Sequence, residues 1–216
     1  MTKEQRQKLL EQKLEDMSVY EKQLYAEGVT AVAGVDEVGR GPLAGPVLAA
    51  CVVLPENWDI PGLDDSKKLS EKKRNEMFDI ISDRALAIGI GIADNNTIDE
   101  INILNATKQA MRQAVSQAQT SLGAAIGHIL VDAVTIDGID NPQTPIIKGD
   151  AKSISIAAAS IIAKVTRDNM MKEYAVTYPG YAFESNKGYG TKAHYQGIHE
   201  HGITPIHRKT FLKGIL

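Results

Sequence analysis

Four acidic residues stand where the sequence makes a carboxylate unfavourable. Each follows or ends an apolar run typical of a strand: Asp36 and Glu37 in "TAVAGVDE", Asp132 in "HILVD" and Asp150 in "IIKGD". An ionised carboxylate beside an apolar sheet is destabilising unless it is paired or binds a cation. Oxygen ligands alone suit Mg²⁺ or Mn²⁺, and the sequence lacks the Cys and His cluster of a structural zinc site. The pattern therefore indicates a divalent-metal site made of these four carboxylates.

Two of the four acids also have simpler explanations. Asp150 lies just before a predicted helix that starts near Ser153, where a carboxylate commonly caps the first turn. Asp132 could equally be a turn residue at the end of its strand. Only a meeting of all four acids at one edge of a sheet favours the metal site over these two explanations.

Asp36 and Glu37 raise a geometric problem, because neighbouring side chains on a regular strand point to opposite faces. We therefore expect the strand to break at this pair, so that both carboxylates serve one site. Gly39 and Gly41 permit a break, since glycine adopts backbone angles that other residues avoid and lets a ligand approach closely. The alternative for "GRGPLAG" is a dinucleotide-binding loop. That loop should open a helix, whereas the prolines here lead into a second strand.

The elements that position these acids follow from the spacing of apolar and turn residues. Helical spacing predicts one charged amphipathic helix over 3–27, leading into the core. The remaining predictions are strands over 30–37 and 45–54 forming a hairpin, a helix over 69–86 with Ser70 as N-cap, a strand over 87–93, a helix from a Thr97–Glu100 capping box to about 119, a strand over 126–133, an extended segment over 144–151 and a helix over 153–176. This order predicts an α/β fold with a mixed sheet flanked by helices.

The length of 216 residues allows one good core with a small addition. We predict an N-terminal helix over 1–28, a core over 29–178 and a small, mostly helical C-terminal appendage over 179–216, where the chain becomes polar and rich in glycine. The only cysteine, Cys51, lies in an apolar run and is expected to be a buried thiol. No segment resembles a membrane span or a signal peptide, which favours a cytoplasmic protein.

Charge is unevenly distributed along the chain, although the net charge is only −3. Residues 1–151 hold 15 Lys and Arg against 23 Asp and Glu, a net charge of −8. Residues 152–216 hold 9 against 4, a net charge of +5. This asymmetry suggests an acidic region that binds metal beside a basic region that binds phosphate, although chance variation in surface charge explains it equally well.

The four acids lie within longer motifs that resemble the bacterial ribonuclease HII family, which has a ribonuclease H-like fold. The resemblance covers roughly residues 31–213. It runs through "GVDEVGRGPLAGPV", "LDDSKKLSEKKR", "IDEINILNATKQAM", "VDA", "KGDAKSISIAAASIIAKVTRD", "NKGYGTKAH" and "HGITPIHRKTF". It implies a ribonuclease H-like mixed sheet, and an enzyme that cuts the RNA strand of RNA/DNA hybrids and at ribonucleotides embedded in duplex DNA.

The resemblance also implies a role for individual residues. The family's catalytic and metal-binding carboxylates fall on Asp36, Glu37, Asp132 and Asp150, and its ribonucleotide-reading motif falls on Gly39, Arg40 and Gly41. The family's junction-sensing tyrosine falls on Tyr189, for which core packing is the ordinary alternative. The chain departs from the family pattern at "VDAVTID", because many family members have glycine after the third acid and this chain has alanine. Asp137 in this segment is a competing candidate for the third acid. We assign Asp132, because it directly ends the apolar strand.

The mechanism implied by the resemblance is phosphodiester hydrolysis with two Mn²⁺ or Mg²⁺ ions, on the 5′ side of the ribonucleotide, leaving 3′-hydroxyl and 5′-phosphate ends. We expect a monomer that acts in RNA primer removal and in removal of misincorporated ribonucleotides. Phosphate contacts are expected from Ser66, Lys67, Lys68, Lys148, Lys187, Lys192 and Arg208. The alternatives are a binding module that has lost the chemistry, and another nuclease of the same fold, such as a resolvase.

Overall fold

The computed structural model describes residues 2–214, which contain one five-stranded sheet. In chain order the strands are β1 (Val32–Val38), β2 (Val47–Val53), β3 (Ala87–Ala93), β4 (His128–Asp132) and β5 (Gln143–Ile146). Their order across the sheet is β3-β2-β1-β4-β5. The pairs β1–β2 and β2–β3 are antiparallel, whereas β1–β4 and β4–β5 are parallel. This is the mixed sheet that the sequence predicts, with the early hairpin antiparallel and the later crossovers parallel.

Seven α-helices and two short 3₁₀ turns accompany the sheet within residues 2–214. The helices are α1 (Lys3–Met17), α2 (Val19–Ala26), α3 (Glu71–Arg84), α4 (Asn95–Leu122), α5 (Ile154–Thr177), α6 (Phe183–Asn186) and α7 (Lys192–His201). The 3₁₀ turns are Gly149–Ala151 and Lys209–Phe211. None of these helices combines the length and the apolarity needed to cross a membrane.

Three of the predicted helix and strand boundaries are wrong for local reasons. The single helix over 3–27 is two helices, because the backbone leaves helical geometry at Ser18, whose hydroxyl donates to the Leu14 carbonyl (2.6 Å). The long fourth helix starts earlier than the Thr97–Glu100 box, since the Asp94 carboxylate accepts the Thr97 N–H at 2.7 Å. The extended segment over 144–151 ends early, in the Gly149–Ala151 turn.

The expected apolar stripe of the N-terminal helix is only partly buried. Met17 is buried, but Leu9 is 61% exposed. The firmest attachment of this region comes from α2, where the buried Glu21 carboxylate accepts the Ser153 hydroxyl (2.5 Å) and the Ser155 N–H (3.0 Å) through the same oxygen. Glu21 therefore binds the first turn of α5, and its other carboxylate oxygen is buried without a partner in residues 2–214.

Each face of the sheet packs against one long helix. On one face Ala33, Val35 and Cys51 pack with the alanines of α4, so the cysteine is the buried thiol that the sequence predicts. On the other face Leu48, Ala50 and Val52 pack with α3 and with the small residues of α5. The small residues of α4 and α5 allow these helices to approach the sheet closely.

The chain after α5 packs onto the end of that helix. Its apolar cluster contains Leu43, Met171, Tyr181, Phe183 and Ile198. The segment that follows β1 thus shares a core with the C-terminal residues. Its treatment as a separate appendage over 179–216 stays a prediction.

The sheet and α5 approach each other closely at Gly34. A Cβ atom added there would lie 2.0 Å from the Ser155 carbonyl carbon and 2.3 Å from the Ile156 nitrogen. Both neighbours are backbone atoms of the first helical turn, so they move only if α5 moves. Since Asp150 lies just before this turn, Gly34 also determines how closely one of the four acids approaches β1.

We predict that Gly34→Ala lowers the free energy of unfolding by about 3 kcal/mol, the upper range for overpacking a core. Gly123→Ala is the control, because a Cβ there meets no atom within 4 Å and only the left-handed φ of 69° opposes the change. It should lower the free energy of unfolding by about 1 kcal/mol. Urea unfolding measures both values, and equal effects would contradict the close approach of α5.

Candidate active site

The first two acids lie near the end of β1, at the place where its neighbour β4 stops. The last β1–β4 pair is Val35 with Val131, and β4 ends one residue later at Asp132. On the other side β1 stays paired with β2 as far as Val38. The predicted strand break at Asp36 and Glu37 is therefore wrong, because pairing with β2 keeps the strand regular and the chain turns only after Val38. The open edge beside Asp132 is what lets carboxylates from both faces approach one another.

Asp36 is buried, with 6% of its surface exposed. One carboxylate oxygen accepts the Glu37 N–H at 2.8 Å. Burial, together with the negative charges of Glu37 and Asp132, raises the pKa of Asp36 well above its ordinary value, and a hydrogen bond from Ser160 opposes the rise. Burial is the largest cause of this shift, and the two neighbouring carboxylates add to it.

Glu37 has one partnered oxygen and one unpartnered oxygen. Oε1 is 3.4 Å from an Arg40 guanidinium nitrogen, whereas Oε2 is buried and has no hydrogen-bond partner within residues 2–214. Burial and the charge of Asp132 raise the pKa of Glu37, although the Arg40 charge lowers it. A buried carboxylate oxygen without a partner is unfavourable, which suits a position that receives a cation.

The other two acids are joined through one backbone contact. An Asp132 oxygen accepts the Gly149 N–H at 2.7 Å, which fixes the end of β4 to the Gly149–Ala151 turn. Asp150 lies in that turn and is not the cap of α5, because the Ser153 hydroxyl accepts the Ile156 N–H in that role. Burial, with the charges of Asp65 and Asp132, raises the pKa of Asp150.

These carboxylates form one group of mutually repelling charges, to which Asp65 contributes a further acid. The oxygen-only donor set and the unpartnered oxygen of Glu37 fit Mg²⁺ or Mn²⁺. Within residues 2–214, no three Asp, Glu, His or Cys side chains are arranged to enclose an ion as they stand.

Lys67 provides a second positive charge beside the acids, in addition to Arg40. Its burial lowers the pKa of the ammonium group, but the charges of Asp36, Asp65 and Asp150 outweigh this and raise the pKa overall. Lys67 is exposed at the rim of the acidic group. Its backbone N–H donates to the Asp65 carboxylate at 2.9 Å. In the metal-free protein its ammonium group partly offsets the repulsion among the acids.

The 39–41 loop, made of Gly39, Arg40 and Gly41, follows directly after β1 and lies next to Tyr189. Gly39 has a φ of 92°, and a Cβ there would lie 2.2 Å from Arg167 Nε, so only glycine fits. A Cβ on Gly41 would lie 3.3 Å from the Tyr189 ring. Tyr189 is 46% exposed, which excludes core packing as its role.

The structure places four of the predicted phosphate-binding lysines at the surface and a fifth in a partly buried position. Lys67, Lys68, Lys148 and Lys192 are exposed, and Lys187 is half-buried. Lys68 lies 3.9 Å from Asp64, and Lys192 begins α7 three residues after Tyr189. Their role in phosphate binding stays a prediction.

Two other predicted phosphate contacts do not fit the structure. Arg208 is completely buried and donates to backbone carbonyls of the segment after β1, which leaves its guanidinium inaccessible to a phosphate. Ser66 is 3% exposed, and its hydroxyl lies 2.9 Å from the Ser160 hydroxyl. Since Ser160 in turn bonds to Asp36, Ser66 supports the acidic group from the core side.

The second candidate for the third acid, Asp137, lies outside the acidic group. It is 2.5 Å from the Lys108 ammonium group and its side chain is 69% exposed. The residue after Asp132 is Ala133, which adopts a φ of 57°. Glycine adopts this left-handed angle without strain, whereas alanine adopts it here at some cost.

Several residues near the acids escape the sequence patterns. Ser160 is the single polar residue in "AAASIIA", and this isolation is a signal that could have indicated it. Asp65 lies in "LDDSKK", where an acidic residue is equally consistent with an ordinary surface turn. Arg167 and Arg208 are indistinguishable in sequence from surface arginines, because nothing local reveals that their guanidinium groups are buried.

Known proteins match both the sequence and the fold. The ribonuclease HII family model matches residues 33–213. A ribonuclease HII of Clostridioides difficile (strain 630) is 56% identical over 206 residues, covering 95% of this chain and 79% of that protein. The crystal structure of ribonuclease H2 from Pyrococcus horikoshii OT3 has a TM-score of 0.68 at 29% identity, covering 86% of this chain and 97% of that one.

A second archaeal structure shows the same fold at lower identity. It is the PCNA:RNase HII complex from Archaeoglobus fulgidus, with a TM-score of 0.65 at 22% identity, covering 84% of this chain and 94% of that one. The family match spans the acidic group, the 39–41 loop and Tyr189 together. The chain therefore belongs to the ribonuclease HII family and is a metal-dependent hydrolase with ribonuclease H activity.

Proposed function

We propose that this chain cuts duplex DNA on the 5′ side of embedded ribonucleotides, in addition to hydrolysing the RNA strand of RNA/DNA hybrids. The observation that carries the proposal is the adjacency of two features on one stretch of chain. Asp36 and Glu37 end β1 within the acidic group, and the 39–41 loop begins two residues later beside Tyr189. A site for phosphodiester chemistry thus adjoins a site that is able to test one sugar for a 2′-hydroxyl.

We assign metal binding to Asp36, Glu37, Asp132 and Asp150. Two Mg²⁺ or Mn²⁺ ions held there would supply Lewis-acid activation of a water and charge stabilisation of the departing oxygen. Two observations support this assignment. The buried Oε2 of Glu37 has no partner within residues 2–214, and burial together with the charges of Glu37 and Asp132 raises the pKa of Asp36. The Asp132 bond to the Gly149 N–H holds the second pair of acids near the first.

The chain's own groups would bind and orient the nucleic acid. In the 39–41 loop, backbone N–H groups would donate to the 2′-oxygen of the ribonucleotide, and Tyr189 would stack on the sugar of the next deoxynucleotide. The exposed lysines Lys67, Lys148 and Lys192 would contact phosphates. Arg208 is buried and is therefore not among the phosphate contacts.

The products would carry 3′-hydroxyl and 5′-phosphate ends, which suits roles in primer removal and in the excision of misincorporated ribonucleotides. The C-terminal residues supply Tyr189 and Lys192, which supports a substrate-binding role for the appendage over 179–216.

A DNA duplex with one ribonucleotide should be cut in the presence of Mg²⁺ or Mn²⁺, whereas the same duplex without the ribonucleotide should stay intact. The reason is that the loop amides find their acceptor only on a 2′-oxygen. Gel analysis with end-labelled strands measures the cut position and the chemistry of both ends. Equal cutting of the two duplexes, or a cut on the 3′ side, would overturn the proposal; chelation of the metal should abolish cutting.

Asp36→Asn should lower cleavage at least about 100–1000-fold, the loss typical when one electrostatic group of an active site is removed. It should also stabilise the metal-free protein at pH 8. Because the pKa of Asp36 is raised in the folded state, its contribution to stability is fully present below the unfolded-state pKa of about 4. The contribution is lost as the pH rises through the higher folded-state pKa. We expect a melting temperature about 2–4 °C higher, the shift for about 1 kcal/mol in a chain of this size.

Asp137→Asn is the matched control, since this exposed acid pairs with Lys108 outside the site. It should leave both cleavage and melting temperature near the wild-type values. Thermal unfolding and single-turnover cleavage measure the two quantities. Wild-type turnover by Asp36→Asn would remove Asp36 from the site.

Tyr189→Ala should weaken cleavage of a single-ribonucleotide duplex by about 10–100-fold, the range expected for one lost stacking contact. A long RNA/DNA hybrid should be affected less, because its next nucleotide is not a deoxynucleotide. Tyr189→Phe keeps the ring and should retain most activity on both substrates. The measurement is kcat/KM on each substrate, and a uniform loss would indicate that Tyr189 only packs against Gly41.

A further inference from the structure

The segment before the last 3₁₀ turn is built onto the stretch that follows the 39–41 loop. The Gly45 N–H donates to the Ile206 carbonyl and the Arg208 N–H donates to the Leu43 carbonyl, both at 2.9 Å. Further back, Asp99 near the start of α4 accepts the N–H groups of Lys209 (2.8 Å) and Thr210 (2.9 Å). The backbone is therefore fixed both before Arg208, at Ile206, and after it, at Lys209 and Thr210.

The Arg208 side chain is directed at the loop from within the protein. Its guanidinium donates to the carbonyls of Gly39 (2.6 Å), Arg40 (3.0 Å) and Gly45 (2.9 Å). The group also lies 5.1 Å from the centre of the Phe211 ring. It is 0% exposed, and its side-chain hydrogen bonds within residues 2–214 all go to backbone carbonyls. A buried cation of this kind is unfavourable unless its hydrogen bonds are satisfied, and here three carbonyls satisfy it.

The direction of these bonds determines the direction of the opposite groups. In a planar trans peptide the C=O and the following N–H point to opposite sides, and residues 2–214 contain no cis peptide. Because the Gly39 and Arg40 carbonyls point inward to Arg208, the N–H groups of Arg40 and Gly41 point away from it. Neither of these two N–H groups has an acceptor within residues 2–214. They are two free donors on the same outward side of the loop.

A second buried arginine holds the far side of the same segment. Arg167 on α5 donates to the carbonyls of Ala44 (3.2 Å), Pro46 (2.9 Å) and Lys187 (2.9 Å). The last of these contacts lies two residues before Tyr189. Burial, with the neighbouring Arg167 charge, lowers the pKa of Arg208 only to about 9, so both arginines keep their positive charge at neutral pH.

We propose that Arg208 is a positioning residue for ribonucleotide recognition: it fixes the 39–41 loop so that the Arg40 and Gly41 N–H groups are oriented for a 2′-oxygen before the substrate arrives. This inference rests on the proposed function, since it explains how the reading loop is held. Arg208 touches no substrate. Its contribution is preorganisation, which saves the entropy of ordering the loop on binding.

The test is discrimination between two duplexes, measured as a ratio of dissociation constants. In the Asp36→Asn background, which removes cleavage, the dissociation constant is measured for a duplex with one ribonucleotide and for the all-DNA duplex. Arg208→Lys keeps the charge but cannot reach three carbonyls with one ammonium group. The ratio is the dissociation constant for the all-DNA duplex divided by that for the duplex with one ribonucleotide. We expect Arg208→Lys to reduce this ratio about tenfold, which corresponds to the loss of roughly one to two hydrogen bonds. The dissociation constant for the all-DNA duplex should stay unchanged.

Arg112→Lys is the matched control, since Arg112 donates to a single carbonyl, that of Asp137, at 3.2 Å. It should leave the ratio unchanged. A fraction of misfolded protein lowers the concentration of binding sites without altering the ratio, so partial unfolding of Arg208→Lys does not imitate the expected result. An unchanged ratio for Arg208→Lys would overturn the positioning role. An absence of discrimination with Arg208 intact would instead contradict the proposed function.

A second measurement needs no substitution at Arg208. In the wild-type protein without nucleic acid, the backbone amides of Arg40 and Gly41 should show NMR order parameters near those of the strands, about 0.85. Values below about 0.6 would show that the loop is ordered only by the substrate, and would also overturn the proposal.

Discussion

The concentration of negative charge at one edge of the sheet is the constraint on which the rest of the structure depends. Burial alone opposes ionisation of Asp36, and the charges of Glu37 and Asp132 add to that opposition. The fold tolerates this negative charge because neighbouring groups partly compensate it: Ser160 and the Gly149 N–H donate to the acids, and Lys67 lies at their rim. The stability lost here is supplied by the two apolar layers on either face of the sheet, whose helices carry small residues that allow close packing.

Negative and positive charge are buried in different ways in this protein. The acids face an open edge, where a cation is able to reach them, whereas Arg167 and Arg208 face six backbone carbonyls and no carboxylate within residues 2–214. A guanidinium group without such carbonyl partners would be attracted to the carboxylates of the acidic group. Carbonyl partners hold the Arg167 and Arg208 guanidinium groups without occupying the carboxylates of the acidic group.

Much of this arrangement could be predicted from sequence, because it rests on local patterns. The α/β order, the antiparallel hairpin and the four acids at strand ends all leave a periodic or positional trace. The break expected at Asp36 and Glu37 was wrong because strand regularity depends on β2, a partner that local spacing does not describe. Arg208 was assigned to phosphate for a similar reason: charge is visible in a sequence, but burial beside carbonyls 163 to 169 residues away is not.

The contact between Glu21 and the first turn of α5 links the beginning of the chain to the acidic group. Glu21 accepts from Ser153 and Ser155, and Asp150 lies only three residues before this turn. The N-terminal helix α2 is thus part of the support of the active site, whereas most of α1 is exposed. For protein engineering, the two helices therefore differ in consequence: a boundary drawn after α2 removes the contact of Glu21 with α5, whereas a boundary near the start of α1 leaves that contact in place.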